Sequence, residues 1–102
     1  MDKLFIKPEY AEMLTDIFKS YCPEAEIWAY GSRLNGNAHE GSDLDLAVKS
    51  FNSPDKNTYE LKEIIRESNV PFLVDLHDFN NLPESFQKEI LRNYVVFFKN
   101  DN

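Results

Sequence analysis

The chain has 102 residues, of which 18 are acidic and 11 are basic, and its formal net charge is −7. That length suits one domain with one core, and an apolar fraction of 42% indicates a folded protein rather than a disordered one. The excess of acids argues against sequence-independent binding to nucleic acid, because such binding needs Lys and Arg to neutralise phosphates. We therefore predict a single domain over residues 1–102, with no nucleic-acid partner.

Hydropathy and cysteine content bear on the compartment. No stretch approaches the ~20 consecutive apolar residues of a membrane helix, and the first residues do not resemble a signal peptide. Cys22 is the only cysteine, which excludes an internal disulfide and a zinc site built from cysteines. We expect a cytoplasmic protein without a membrane partner.

The first predicted element is a helix that begins at Pro8, where proline is tolerated in the first turn, and ends before Pro23. Its apolar side chains recur at steps of three and one, which places them on one stripe. Residues 26–30 are rich in aromatic side chains, which is typical of a strand. A turn or short helix is predicted at residues 33–37.

The second half of the chain continues the alternation of strands and helices. It comprises a strand at 43–49, a helix opened by Ser53-Pro54 and running to about 68, a strand at 72–79, a helix from Pro83 and a strand at 94–99. In the last helix, Phe86, Ile90 and Leu91 are predicted to face inward. Together the elements predict an α/β (α+β) fold with a mixed four-stranded sheet flanked by helices.

Asp43 and Asp45 form the most informative pair. They stand two positions apart on a predicted strand, so their side chains share one face while Leu44 and Leu46 point to the other. Neighbouring carboxylates repel, and a fold keeps them beside a core sheet when a cation lies between them. Mg²⁺ takes such oxygen ligands. The alternative is a strand edge with two ordinary surface acids.

Gly31-Ser32 directly follows the first predicted strand. Glycine there permits a positive φ or a close approach of the backbone to a ligand. A helix beginning at Ser32 would present free backbone N–H groups and a hydroxyl to a phosphate. The alternative is an ordinary strand-to-helix turn capped by serine.

Asp75 lies in the strongly apolar segment Phe72-Leu73-Val74-Asp75-Leu76. A buried, unpaired carboxylate is costly, so Asp75 needs a partner or a wet cleft. A salt bridge to Arg66 or Arg92, or simple alternation onto an exposed face, would satisfy it equally well. The roles of His39 and His77 stay open at this point.

These pieces combine into one pattern: Tyr30-Gly31-Ser32-Arg33, the ten residues 33–42, and then Asp43-Leu44-Asp45-Leu46. It resembles the signature of the DNA-polymerase-β-type nucleotidyltransferase superfamily, and most of all its minimal nucleotidyltransferases, the MNT family. The resemblance implies a polymerase-β-like fold. It also implies that Asp43, Asp45 and Asp75 are catalytic and ligate two Mg²⁺ ions (Mn²⁺ being possible), and that Gly31, Ser32 and Arg33 bind the nucleotide.

The resemblance also implies an activity and a partner. Similar family members transfer a nucleoside monophosphate, AMP from ATP in some pairs, and act as antitoxins of a small helical HEPN protein. The expected reaction is therefore adenylylation of a hydroxyl on a partner protein within a hetero-complex. Two alternatives stay open, namely a non-catalytic module that masks a partner and an adenylyltransferase that modifies a small molecule.

Overall fold

The computed structural model describes residues 4–34, 38–39 and 41–100. Its elements, in chain order, are α1 (Pro8–Tyr21), β1 (Glu26–Tyr30), β2 (Leu44–Ser50), α2 (Thr58–Arg66), β3 (Val74–Asp78), α3 (Glu84–Arg92) and β4 (Tyr94–Lys99). Short 3-10 helices occupy Ser32–Leu34 and Phe79–Asn81. The predicted α+β class and mixed four-stranded sheet are confirmed. Among the described residues, no helix combines the length and apolar character that crossing a membrane requires.

The sheet has the strand order β3-β2-β1-β4. β1 runs antiparallel to both β2 and β4, whereas β2 and β3 are parallel. A parallel pair needs a crossover connection, and α2 supplies it. The register sets Asp45 level with Tyr30 on one side and with Asp75 on the other.

The two faces of the sheet are covered by different helices. One buried cluster joins α1 and α2 to the sheet through residues such as Leu14, Leu61 and Leu46. A smaller cluster on the opposite face joins Trp28 and Ala47 to the region around α3. This split follows from strand alternation, because successive residues point to opposite faces.

The predicted start of the second helix is wrong. The helix begins at Thr58, and its N-cap is Asn57, whose side chain accepts a hydrogen bond from the backbone N–H of Glu60 at 2.9 Å. Ser53 does not cap a helix, since its hydroxyl donates to the Asp55 carboxylate instead. Both residue types are good caps, so local preference alone did not decide between them.

The other predicted element boundaries differ less from the observed ones. β2 begins one residue later than predicted, at Leu44, and β3 is shorter than the predicted 72–79. The short helix predicted at 33–37 is present as a 3-10 turn over Ser32–Leu34, while residues 35–37 lie outside the described part.

The predicted inward face of the last helix is only partly correct. Ile90 is buried, but Phe86 is 38% exposed and Leu91 is 52% exposed. Leu91 follows Ile90 directly, so the helical rotation turns it away from the sheet. Phe86 lies one turn before Ile90, near the end of the sheet that carries the acids, where its ring meets Tyr30 and His77.

Candidate active site

Three carboxylates converge at one end of the sheet. Asp45 lies in β2 and is paired in register with Asp75 on the neighbouring strand, and Asp43 immediately precedes β2. Leu44 and Leu46 are fully buried on the opposite face. The alternation read from the sequence is therefore present, and the parallel crossover adds the third acid.

The electrostatic environment of Asp45 disfavours its negative charge. Burial raises the pKa of Asp45, and the nearby charges of Asp75 and Asp43 raise it further. His77 and a hydrogen bond from the backbone N–H of Ser32 act in the opposite direction. A cation bound here would relieve this repulsion, because an opposite charge stabilises the ionised carboxylate.

Gly31 packs directly against Asp45 because glycine has no side chain. Its φ is +86°, a conformation that L side chains rarely adopt, and a Cβ there would lie 2.2 Å from Oδ2 of Asp45. Glycine is therefore required both for the backbone conformation and for clearance. The adjoining N–H of Ser32 hydrogen-bonds to the same carboxylate, so the Gly-Ser turn and Asp45 form one structural unit.

Arg33 has a structural position that the sequence did not indicate. Its side chain is buried, with Nε and Nη2 donating to the carbonyl of Ser42 at 3.1 and 2.6 Å and Nη1 donating to the carbonyl of Phe5 at 2.7 Å. The guanidinium carbon also lies 4.3 Å from the ring centroid of Phe72. These contacts tie the Gly-Ser turn to the residue just before Asp43. A contact between Arg33 and nucleotide stays a prediction.

Asp75 pairs with His77, whose Nε2 lies 3.2 Å from Oδ1 of the carboxylate. The two basic residues considered from the sequence are engaged elsewhere, Arg66 with Glu63 and Arg92 with Glu89. Because the side chain of Asp75 is 51% exposed, its carboxylate is accessible to a ligand. Strand alternation could have identified His77, since it follows Asp75 by two positions and shares its face.

Two further residues of the motif region have well-defined surroundings. His39 accepts a hydrogen bond on Nδ1 from the N–H of Gly41 at 3.1 Å, which indicates a role in shaping the loop. Tyr30 is buried beside the acids, and burial together with Asp45 and Asp75 raises the pKa of its hydroxyl. Tyr30 is therefore a core residue that also borders the site.

The donor chemistry of the three acids fits a divalent cation. Carboxylate oxygens are the ligands that Mg²⁺ and Mn²⁺ prefer. Within residues 4–34, 38–39 and 41–100, however, no three His, Cys, Asp or Glu side chains are grouped tightly enough to hold one ion. The acids thus supply suitable ligands in a more open arrangement than a closed three-ligand site.

The mixed four-stranded sheet with its flanking helices is the polymerase-β-like nucleotidyltransferase fold that the motif predicted. Over residues 12–102 the chain matches the family described as "Polymerase beta, Nucleotidyltransferase", and it belongs to that family. It is also 39% identical over 95 residues to the Haemophilus influenzae protein named "Probable protein adenylyltransferase MntA", a match that covers 92% of this chain and 83% of that protein. The protein is therefore an enzyme of the minimal, MNT-type nucleotidyltransferases, as the motif predicted.

Proposed function

We propose that this enzyme transfers AMP from ATP to a hydroxyl group of a partner protein in a reaction that depends on a divalent metal. The observation that carries the proposal is the position of Asp45, which lies between Asp75 and Asp43 and directly against Gly31. The named protein adenylyltransferase to which the chain is similar supports the choice of AMP and of a protein acceptor.

Asp43, Asp45 and Asp75 are the residues that would hold Mg²⁺. Bound there, the metal would neutralise triphosphate charge and lower the pKa of the attacking hydroxyl. Gly31 and Ser32 would bind the β- and γ-phosphates, with the Ser32 hydroxyl able to donate to a phosphate oxygen. The site's own acids would repel a triphosphate, and a divalent metal would supply the positive charge that the side chains lack.

In the transfer, a bond forms between the acceptor oxygen and the α-phosphorus, while the bond from that phosphorus to the pyrophosphate oxygen breaks. The hydroxyl proton must go to a base within hydrogen-bonding distance. Asp75 is suited to accept it, because its carboxylate is half exposed and one of its oxygens lies 3.2 Å from Nε2 of His77. The products are the adenylylated protein and pyrophosphate.

The proposed acceptor is a small helical HEPN-type protein, for which this chain would act as the antitoxin in a cytoplasmic hetero-complex. A protein acceptor fits the open surroundings of Asp75, which lies on the edge strand β3 of the sheet. An edge strand leaves one side of the site accessible to a large partner. A small-molecule acceptor is the alternative, and modification of such a compound in the absence of any partner protein would support it.

The test follows transfer of label from [α-³²P]ATP to the partner protein in the presence of Mg²⁺. Asp43→Asn and Asp45→Asn should each abolish transfer, and EDTA should abolish it in the wild type, with Mn²⁺ restoring it. Asp16→Asn is the matched control, since it makes the same change at an exposed position of α1. Undiminished transfer by the double variant Asp43→Asn/Asp45→Asn would refute the mechanism.

A second candidate is a non-catalytic domain that masks its partner. The open arrangement of the acids favours it, because no tightly grouped metal-ligand set is present in the described residues. Calorimetric titration with a non-hydrolysable ATP analogue separates the two functions. Masking predicts no Mg²⁺-dependent nucleotide binding, together with tight partner binding that tolerates Asp75→Ala.

A further inference from the structure

A cavity of about 390 Å³ lies between the Gly-Ser turn and α3. Tyr30, Gly31 and Ser32 form one side of it. The other side consists of Phe86, Glu89, Ile90 and Asn93. Its volume falls within the roughly 300–1,000 Å³ typical of small-molecule sites, and its mixture of apolar walls with a few polar groups is also typical of them.

The cavity continues directly from the proposed transfer site. Gly31 borders it and also stands against the carboxylate of Asp45. The ring of Phe86 meets Tyr30 edge-on at 5.9 Å between centroids and lies 6.4 Å from His77, the partner of Asp75. A molecule in the cavity therefore contacts the same turn and the same aromatic groups that flank the acids.

The chemistry of the walls favours a neutral aromatic group over a phosphate. Among the described residues that line it, none is Lys or Arg, and Glu89 contributes a carboxylate. The ion pair between Glu89 and Arg92 is exposed and 3.4 Å long, so the carboxylate retains acceptor capacity for a ligand. Asn93 adds an amide that can donate and accept, while Phe86, 38% exposed, offers an aromatic surface.

We propose that this cavity binds the nucleoside of the substrate triphosphate, with the base packed against Phe86 and the N–H and O–H donors of base and ribose directed to Glu89 and Asn93. The proposal rests on the proposed function, because it assigns the nucleoside end of a nucleotide whose phosphates lie at Gly31-Ser32. With this assignment, α3 is the element that contacts the nucleoside and so distinguishes a nucleotide from a bare polyphosphate.

The experiment compares two ligands that share phosphates and differ in the nucleoside. Binding of Mg-ATP and of Mg-tripolyphosphate is measured by titration calorimetry for the wild type, Phe86→Ala and Glu89→Gln. Matched controls on the same helix are Leu91→Ala, an exposed apolar residue, and Glu84→Gln, an exposed acid, neither of which lines the cavity. Thermal unfolding of each variant verifies that it is folded.

Phe86→Ala should raise the Kd for ATP about tenfold, the size expected for loss of base stacking, and Glu89→Gln should raise it roughly fivefold. Tripolyphosphate affinity and both controls should match the wild type. Equal weakening of both ligands, or unchanged ATP affinity in both cavity variants, would overturn the proposal. So would a raised KM for the acceptor protein with ATP binding intact, since the cavity would then belong to the acceptor.

The outcomes also separate this inference from the function on which it rests. If the wild type binds neither ATP nor tripolyphosphate, the proposed function fails and the nucleoside site fails with it. If the wild type transfers AMP while Phe86→Ala and Glu89→Gln bind ATP normally, only the nucleoside site is refuted.

Discussion

Replacing Gly31 with alanine tests the link between the turn and the carboxylate of Asp45, the proposed catalytic group. At the observed φ of +86°, the new Cβ would lie 2.2 Å from Oδ2 of Asp45 and 3.0 Å from its Cγ. The side chain of Asp45 must therefore move, or the turn must change conformation. Either response separates two groups that the proposed reaction needs together.

The expected losses of stability and of transfer rate follow from this geometry. A non-glycine residue with positive φ costs about 1–3 kcal/mol, so the free energy of unfolding should fall by an amount in that range. Restoring ordinary contact requires a displacement of about 1 Å, and a misplacement of that size at a reacting centre reduces the rate on the order of 100-fold.

Urea denaturation gives the free energy of unfolding, and label transfer from ATP gives the rate. Gly41→Ala is the control. Among the described residues its Cβ would meet only the side chain of His39, at 3.3 Å, and this exposed side chain can adjust. A Gly31→Ala variant that is folded and transfers AMP at the wild-type rate would contradict the reasoning, since Asp45 could then not depend on this turn.

Three further predictions concern stability in the absence of divalent metal. Asp45→Asn should be more stable than the wild type by urea denaturation, and its advantage should grow from pH 4 to pH 7. The reason is that the pKa of Asp45 is raised in the folded state, so the wild type loses stability as this carboxyl ionises. Arg33→Lys should lower the free energy of unfolding by about 2–3 kcal/mol, since lysine cannot reproduce the forked contacts to two carbonyls. Asn57→Ala should lower it by about 1 kcal/mol through loss of the α2 cap.

A specific result would contradict each of these three predictions. An Asp45→Asn variant whose stability relative to the wild type is the same at both pH values would show that the carboxyl is not perturbed in the folded state. Arg33→Lys with wild-type stability would mean that its guanidinium contacts are dispensable. For Asn57→Ala, an unchanged urea midpoint would indicate that another group caps the helix.

The faces of the strands were predictable from the sequence. Asp43-Leu44-Asp45-Leu46 alternates with a period of two, so the separation of acids from buried leucines required only local geometry. The apolar stripe of α1 was readable for the same reason, because helical periodicity is also local. Gly31 could be identified by its place after a strand, although the reason that only glycine fits emerged from the position of Asp45.

The pairing of Asp75 could not be decided locally. Its neighbours in the chain are apolar, and the sequence offered Arg66 and Arg92 as partners. The choice of His77 over Arg66 and Arg92 depended on the orientation of β3 and on where the two arginines face. Those features are set by helix and strand positions that are distant in sequence.

The sequence by itself determined the order of helices and strands, the buried faces of α1 and β2, and the spacing between the Gly-Ser turn and the two neighbouring acids. The buried faces follow from periodicities of two to four residues, which are local. The tertiary structure alone decided that β3 lies parallel to β2, with Asp75 level with Asp45. It also decided that the buried Arg33 side chain donates to the carbonyls of Ser42 and Phe5, and that Phe86 remains exposed beside a cavity. Each of these depends on a contact between segments far apart in the chain, where chain crossover and packing, rather than local preference, select one arrangement among several of similar local energy.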